Sequence, residues 1–183
     1  VDPTANDIYA YDTNAEGDFD FNLLGVRQTP VSTVSETTYS TGVIRFSNPA
    51  ALVSGASIIA ASDIEDETIF DTSLIDCSTT TADDLRLDAT WRVDVQGAPG
   101  DIDIELDYKS LQIDGNTETN LDLLIANNSS FIGATRISPT EFCSTAIYRN
   151  VSFTDGDYFT FERSGIAPVT WDGTNWANGS GVS

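Results

Sequence analysis

Histidine and methionine are absent from this chain, and lysine occurs once, as Lys109. Without histidine the chain lacks the side chain whose ordinary pKa lies nearest neutrality, and with it the commonest general base and zinc ligand. Cysteine is scarce, with only Cys77 and Cys143. That leaves no cysteine–histidine nucleophile and no mixed zinc set. No phosphate-cradling glycine loop and no activated-serine signature occurs. A carboxylate-pair glycosidase is the one hydrolase chemistry left. The acidic face that would suggest it is explained by strand alternation, so the chain is read as a non-enzyme. No apolar run approaches the roughly 20 residues that a membrane helix needs, and no secretion signal is recognised. The missing methionine suggests a mature product or a piece of something longer.

What is abundant is acid. Asp and Glu total 29 against 8 Lys and Arg, for a formal net charge of −21. Such a chain repels nucleic acid and anionic membrane. Its self-repulsion calls for screening. Salt supplies it, with a Debye length of about 8 Å at physiological strength and less in brine; so do bound divalent cations. One reading is an acidic surface suited to a salty exterior, and the other is specific Ca²⁺ sites. The nearest approach to a calcium loop is Asp12, Asn14, Glu16 and Asp18, which place oxygen donors at alternate positions around Gly17. The match to an EF-hand is partial, because Leu23 stands where a bidentate Glu is needed; a polar turn is the rival reading. The acidic run from Asp63 to Asp71 has the same two readings. For the cysteines, an exterior location favours one Cys77–Cys143 disulfide. Such a link closes a loop of roughly 65 residues and stabilises by about 4 kcal/mol. Two separate buried thiols are the alternative.

The strongest local pattern lies at 90–108. Trp91, Val93 and Val95 alternate with Arg92, Asp94 and Gln96. After Gly97, Pro99 and Gly100, Ile102, Ile104, Leu106 and Tyr108 alternate with Asp101, Asp103, Glu105 and Asp107. A period of two marks strands with one buried and one wet face, and the glycines mark the turn of a strand pair. Further strands are expected at 7–11, 19–26, 38–46, 57–61, 120–126, 134–137 and 146–153. A hairpin turn is expected at Asp155-Gly156 before Tyr158, Phe159 and Phe161, because Asp-Gly favours primed turns. About a dozen short strands without a convincing helix predict an all-β fold, an antiparallel β-sandwich of immunoglobulin-like or jelly-roll-like form. Trp91, Val93, Ile102, Ile104, Leu123 and Phe159 should face the core between two sheets.

The end of the chain differs in kind. Residues 1–165 are read as the sandwich domain. Residues 166–183 are read as a Trp hairpin and Gly/Ser linker leading to a next module or subunit. Trp171 and Trp176, with Asp172 between them, suit a sugar-stacking site; two tryptophans stapling a hairpin is the plainer reading.

Thr90-Trp91-Arg92-Val93, the Gly97–Gly100 turn, the strand after it, Leu121-Asp-Leu-Leu124-Ile125 and Val151-Ser-Phe-Thr-Asp-Gly156-Asp-Tyr158-Phe159-Thr160 together resemble a β-sandwich module. That module recurs in large surface and adhesin-like proteins exported by the type IX secretion route of gliding bacteria. The likeness covers roughly residues 57–161. Two departures stand out: Asn127-Asn128-Ser129-Ser130 replaces an Asp-rich segment, and the cysteines are not part of the pattern. The resemblance implies a non-catalytic, extracellular cell-surface role, as an adhesin repeat or filament subunit. It also implies that the two ends fit head to tail, by addition of a terminal strand (residues 1–11 or 166–177) to a neighbour's sheet edge. The partners implied are copies of the chain or neighbouring modules. A carbohydrate-binding module acting on extracellular polysaccharide through Trp171 and Trp176 is the competing function. No cofactor is required, and the Ca²⁺ already considered is an optional ion.

Overall fold

In a computed structural model the described residues are 9–11, 18–28, 34–35, 38–39, 43–68, 70–71, 85–111, 121–142, 145–163, 169–171 and 176–178. The side chains of residues 34–35, 38–39, 70–71, 85, 108, 169–171 and 176–178 are outside this description. Two antiparallel sheets face each other, so the expected all-β sandwich is the fold. The first sheet contains β1 (Phe21–Gln28), β2 (Val34–Ser35), β5 (Ser57–Ser62), β6 (Phe70–Asp71), β7 (Leu85–Leu87), β8 (Trp91–Gln96), β10 (Leu121–Ala126), β11 (Thr135–Ile137) and β14 (Tyr158–Arg163). Its order is β11-β10-β14-β8-β5-β1-β2, with β7 beside β14 and β6 beside β7. The second sheet runs β12 (Glu141–Phe142), β13 (Ala146–Val151), β9 (Ile102–Leu106), β4 (Ile44–Ser47) and β3 (Thr38–Tyr39). A separate two-stranded sheet joins β15 (Val169–Trp171) to β16 (Trp176–Asn178).

The core lies where the alternation puts it. Trp91, Val93, Ile102, Ile104, Leu123 and Phe159 are all buried in one cluster. The Trp91 indole stacks on Phe159, with centroids 5.3 Å apart and planes 13° apart. Such pairs add about 0.5–1.5 kcal/mol beyond the area they bury.

Several connections differ from expectation. β8 and β9 are not a pair: β8 bonds to β5 and β14, while β9 bonds to β4 and β13 in the other sheet. The turn between them carries the chain across the sandwich, with Gly97 and Gly100 at φ of +69° and +74°. β13 and β14 are likewise in opposite sheets, so Asp155-Gly156 is an arch and not a hairpin. Gly156 N–H donates to the Val93 carbonyl and Val93 N–H to that of Asp157, which docks the arch on β8. The stretch 38–46 is two strands folded on one another, Thr38 opposite Phe46. Tyr9–Tyr11 is a turn. Beyond β9 the chain enters a 3₁₀ turn, Tyr108–Ser110, tied by Ser110 N–H to the Asp107 carbonyl.

β1 carries a bulge. The register shifts between Phe21 and Leu24, and Asn22 adopts φ 50°. Its amide donates to Ser62 Oγ and to the carbonyls of Ile64 and Glu65 at 2.8–3.1 Å. Because a bulge inserts a residue, alternation flips. Leu23, which the sequence alternates in phase with Phe19 and Phe21, is 51% exposed, Phe21 is exposed too, and Leu24 enters the core.

Candidate functional site

The outer face of the first sheet is covered by its own chain at two places. Arg92, Asp94 and Tyr158 lie on that face, and alternation makes them solvent-facing in the absence of a cover. Residues 9–11 cross over them as a strap. The Tyr9 hydroxyl donates to the Arg92 carbonyl at 3.0 Å, and Ala10 N–H donates to Asp94 Oδ2 at 2.8 Å. The Arg92 guanidinium sits 3.8 Å from the Tyr11 ring centroid and 5.2 Å from that of Tyr158. Tyr9 and Phe19 cover Ile59 and Ala61 of β5, which buries that strand on both faces. Gly156 closes the site: a Cβ there would lie 3.3 Å from the Tyr11 hydroxyl. Burial, and then the neighbouring Asp155 carboxylate, hold the Tyr11 phenol above its ordinary pKa, so it stays neutral.

The second cover is the loop after β10. Phe131 packs on Leu124 and Ala126, with the Arg86 guanidinium 4.8 Å from its ring centroid. Asn128 shapes this loop. Its Oδ1 accepts from Ser130 Oγ and Ile132 N–H, and its Nδ2 donates to the Ile132 carbonyl. Tyr158 touches both covers.

The second sheet is closed by charge. The acidic face of β9, expected to be wet, is largely paired. Asp103, only 7% exposed, accepts from Asn48 Nδ2, an Arg149 guanidinium nitrogen and Asn150 N–H at 2.9–3.1 Å. Glu105 accepts from Arg45 and Ser47, and Arg149 also binds Glu141. The cause is register: β9 lies between β4 and β13, which set Arg45 opposite Glu105 and place Arg149 in the bulge beside Asp103. On the first sheet, Arg136 pairs with the fully buried Glu162. Arginine is thus spent largely on internal bracing.

The expected sites fare differently. Of Asp12, Asn14, Glu16 and Asp18, only Asp18 is among the described residues, and it is exposed. Cys77, Cys143 and Asp172 also lie outside them. Among the described residues no cluster of three or more His, Cys, Asp or Glu has metal-site geometry. The acidic run after β5 is not simply solvated. Asp63 Oδ1 accepts from Thr90 N–H at 2.8 Å, and Glu67 is 2% exposed; Asp66 caps its own turn through Thr68. The backbones of Trp171 and Trp176 are directly opposite in the β15–β16 ladder, and their side chains lie outside the described residues. The strap site around Arg92 escaped the sequence reading. Its only signal is the aromatic spacing Tyr9, Tyr11, Phe19, which does not say which face it covers.

Comparison with protein-family models, curated proteins and solved structures finds no match. The assignment of function therefore rests on the chain itself.

Proposed function

We propose that this chain is a non-catalytic structural unit of an extracellular cell-surface assembly, an adhesin repeat or filament subunit. One observation carries the reading: the sandwich is buttressed on both outer faces. The strap and the Phe131 loop cover one sheet, and a lattice of ion pairs covers the other. Such bracing suits a load-bearing module, and the net charge of −21 suits a saline exterior. The likeness to modules of type IX-exported surface proteins points the same way. Joining by strand addition remains part of the proposal, but Tyr9–Tyr11 is engaged on its own sheet face as a turn. The donor is therefore better sought in 166–177. Electron microscopy and light scattering of the purified chain in high salt, with and without Ca²⁺, test the assembly. Protease shaving of intact producing cells tests the location. Ordered polymers and surface cleavage are expected; a monomer protected inside the cell would overturn the reading.

A carbohydrate-binding module is the second reading, favoured by the opposed positions of Trp171 and Trp176. A glycan array with the wild type and a Trp171→Ala/Trp176→Ala double variant separates the two. Tryptophan-dependent binding supports the module; no binding removes it.

A further inference from the structure

Asn-x-Ser/Thr, with x other than proline, is the acceptor pattern for N-linked glycosylation and requires an accessible carboxamide. The pattern occurs at Asn127-Asn128-Ser129, Asn128-Ser129-Ser130, Asn150-Val151-Ser152 and Asn178-Gly179-Ser180. The fold treats the first three differently. Asn150 occupies the bulge of β13, where the register shifts between Tyr148 and Val151. It has φ 54° and is exposed. Its backbone N–H is fixed to Asp103 Oδ1 at 3.1 Å, while no described residue bonds its carboxamide. Val151 points into the core and Ser152 is exposed. The bulge therefore presents Asn150 and the Ser152 hydroxyl on an anchored frame. Asn127 is exposed as well; its Oδ1 accepts from Asn128 Nδ2, and its own Nδ2 has no described partner. Asn128 is the opposite case. Its Nδ2 is committed to Asn127 Oδ1 and the Ile132 carbonyl at 3.1 and 3.2 Å, and its Oδ1 takes two further bonds. Overlapping patterns one residue apart thus differ in whether the nucleophilic nitrogen is available.

We propose that Asn150 and Asn127 are N-glycan acceptors of the folded chain and that Asn128 is not. This rests on the exterior reading above, because the modification belongs to exported proteins. In the step, Nδ2 attacks the anomeric carbon of a lipid-linked oligosaccharide. The bond from that carbon to the phosphate oxygen breaks, the lipid phosphate or pyrophosphate leaves, and the Nδ2 proton passes to a base of the transferase. Both acceptors lie at one end of the sandwich, because Ala126, which precedes Asn127, pairs with Tyr158 at the start of β14, the strand that the β13 arch enters. Glycans there would crowd a single pole, with the one on Asn150 beside the Arg149–Asp103 pair.

The test uses the full chain in two arms. In the first, the folded protein meets a purified oligosaccharyltransferase of Asn-x-Ser/Thr specificity and its lipid-linked donor, and glycopeptides are mapped by mass spectrometry. Occupancy at Asn150 and Asn127, with none at Asn128, is expected. Ser152→Ala should abolish the Asn150 glycan and Ser152→Thr should keep it; Ser129→Ala should abolish only the Asn127 glycan. Substitution at Ser152 is preferred to Asn150→Gln, which would place glutamine at a positive φ. Modification at Asn128, or modification only after denaturation, would overturn the proposal. In the second arm, the chain is produced in a glycosylating host. Export without modification would overturn the acceptor assignment and leave the exterior reading standing. Retention inside the cell would sink the exterior reading, while the first arm still decides acceptor geometry.

Discussion

Arg92 lies between the rings of Tyr11 and Tyr158, so replacing it by lysine separates charge from shape. A guanidinium stacks on aromatic faces through its plane, and an ammonium does not. Arg92→Lys should loosen the strap while leaving the sandwich folded. Hydrogen exchange reads this at one amide, Ala10 N–H, which is bonded to Asp94. That amide should exchange faster while those of β5 and β14 stay protected; unchanged protection would show that Asp94 and Tyr9 hold the strap alone. Thr160 makes a different residue-scale case. It is fully buried, and its hydroxyl donates to the carbonyls of Ala89 at 2.8 Å and Leu87 at 3.3 Å. These carbonyls border the break between β7 and β8, two strands that share one side of β14. Thr160→Val keeps the volume and removes the donor. Denaturant unfolding should show a loss of about 1–3 kcal/mol, the usual cost of a buried group left unsatisfied.

At the scale of the element, β1 tolerates nothing larger than glycine at position 25. A Cβ there would meet the Ile58 carbonyl oxygen at 2.7 Å and Ile59 Cα at 3.0 Å, and both are backbone atoms of the paired strand β5. Gly25→Ala should destabilise by about 1–3 kcal/mol, as seen in the urea midpoint at unchanged slope. An altered slope would mean that the two strands had separated. The elements themselves were largely legible. Period-two alternation located β8, β9, β10 and β14, and it placed Trp91, Ile102 and Phe159 inside. What alternation does not encode is the partner. Gly97, Pro99 and Gly100 suit a hairpin and an arch equally, so the separation of β8 from β9 was hidden. Asn22 shifts the phase of β1 through three side-chain bonds to residues some forty positions away, which no local pattern reports. Asp94 and Asp103 looked wet because the Tyr9 strap, Asn48 and Arg149 that cover them are remote in sequence.

Across the whole molecule, electrostatics makes the response to pH unusual. Asp63 and Asp157 are both held above the ordinary aspartate value of 3.8, chiefly by desolvation. The folded chain takes up protons at these two sites at a higher pH than the unfolded chain does. Stability should therefore rise as pH falls from neutral through their folded-state titration, and the gain is complete below 3.8, where the unfolded carboxylates are protonated too. Relief of the −21 charge acts in the same direction. Melting curves at constant ionic strength should thus move upward as the pH is lowered from neutral towards the ordinary aspartate value of 3.8. Asp63→Asn, which keeps the acceptor for Thr90 N–H, should flatten the slope; a melting temperature that falls over this range would refute the account. Added salt at fixed pH should stabilise for the related reason of screening.

The path of the chain through the two sheets has a mechanical consequence. It passes from one sheet to the other after β2, β4, β8, β9, β11 and β13. Its long ladders, β1 with β5, β5 with β8, β10 with β14 and β9 with β13, join strands far apart in sequence. Such a body cannot be unzipped hairpin by hairpin. To free β8 a pulling force must break the β5 and β14 ladders together, and to free β9 it must break both β4 and β13. Resistance of this kind is shared across the section rather than carried by one seam. The same threading makes assembly slow, since distant segments must meet before any long ladder closes; once closed, the unit should fail all at once.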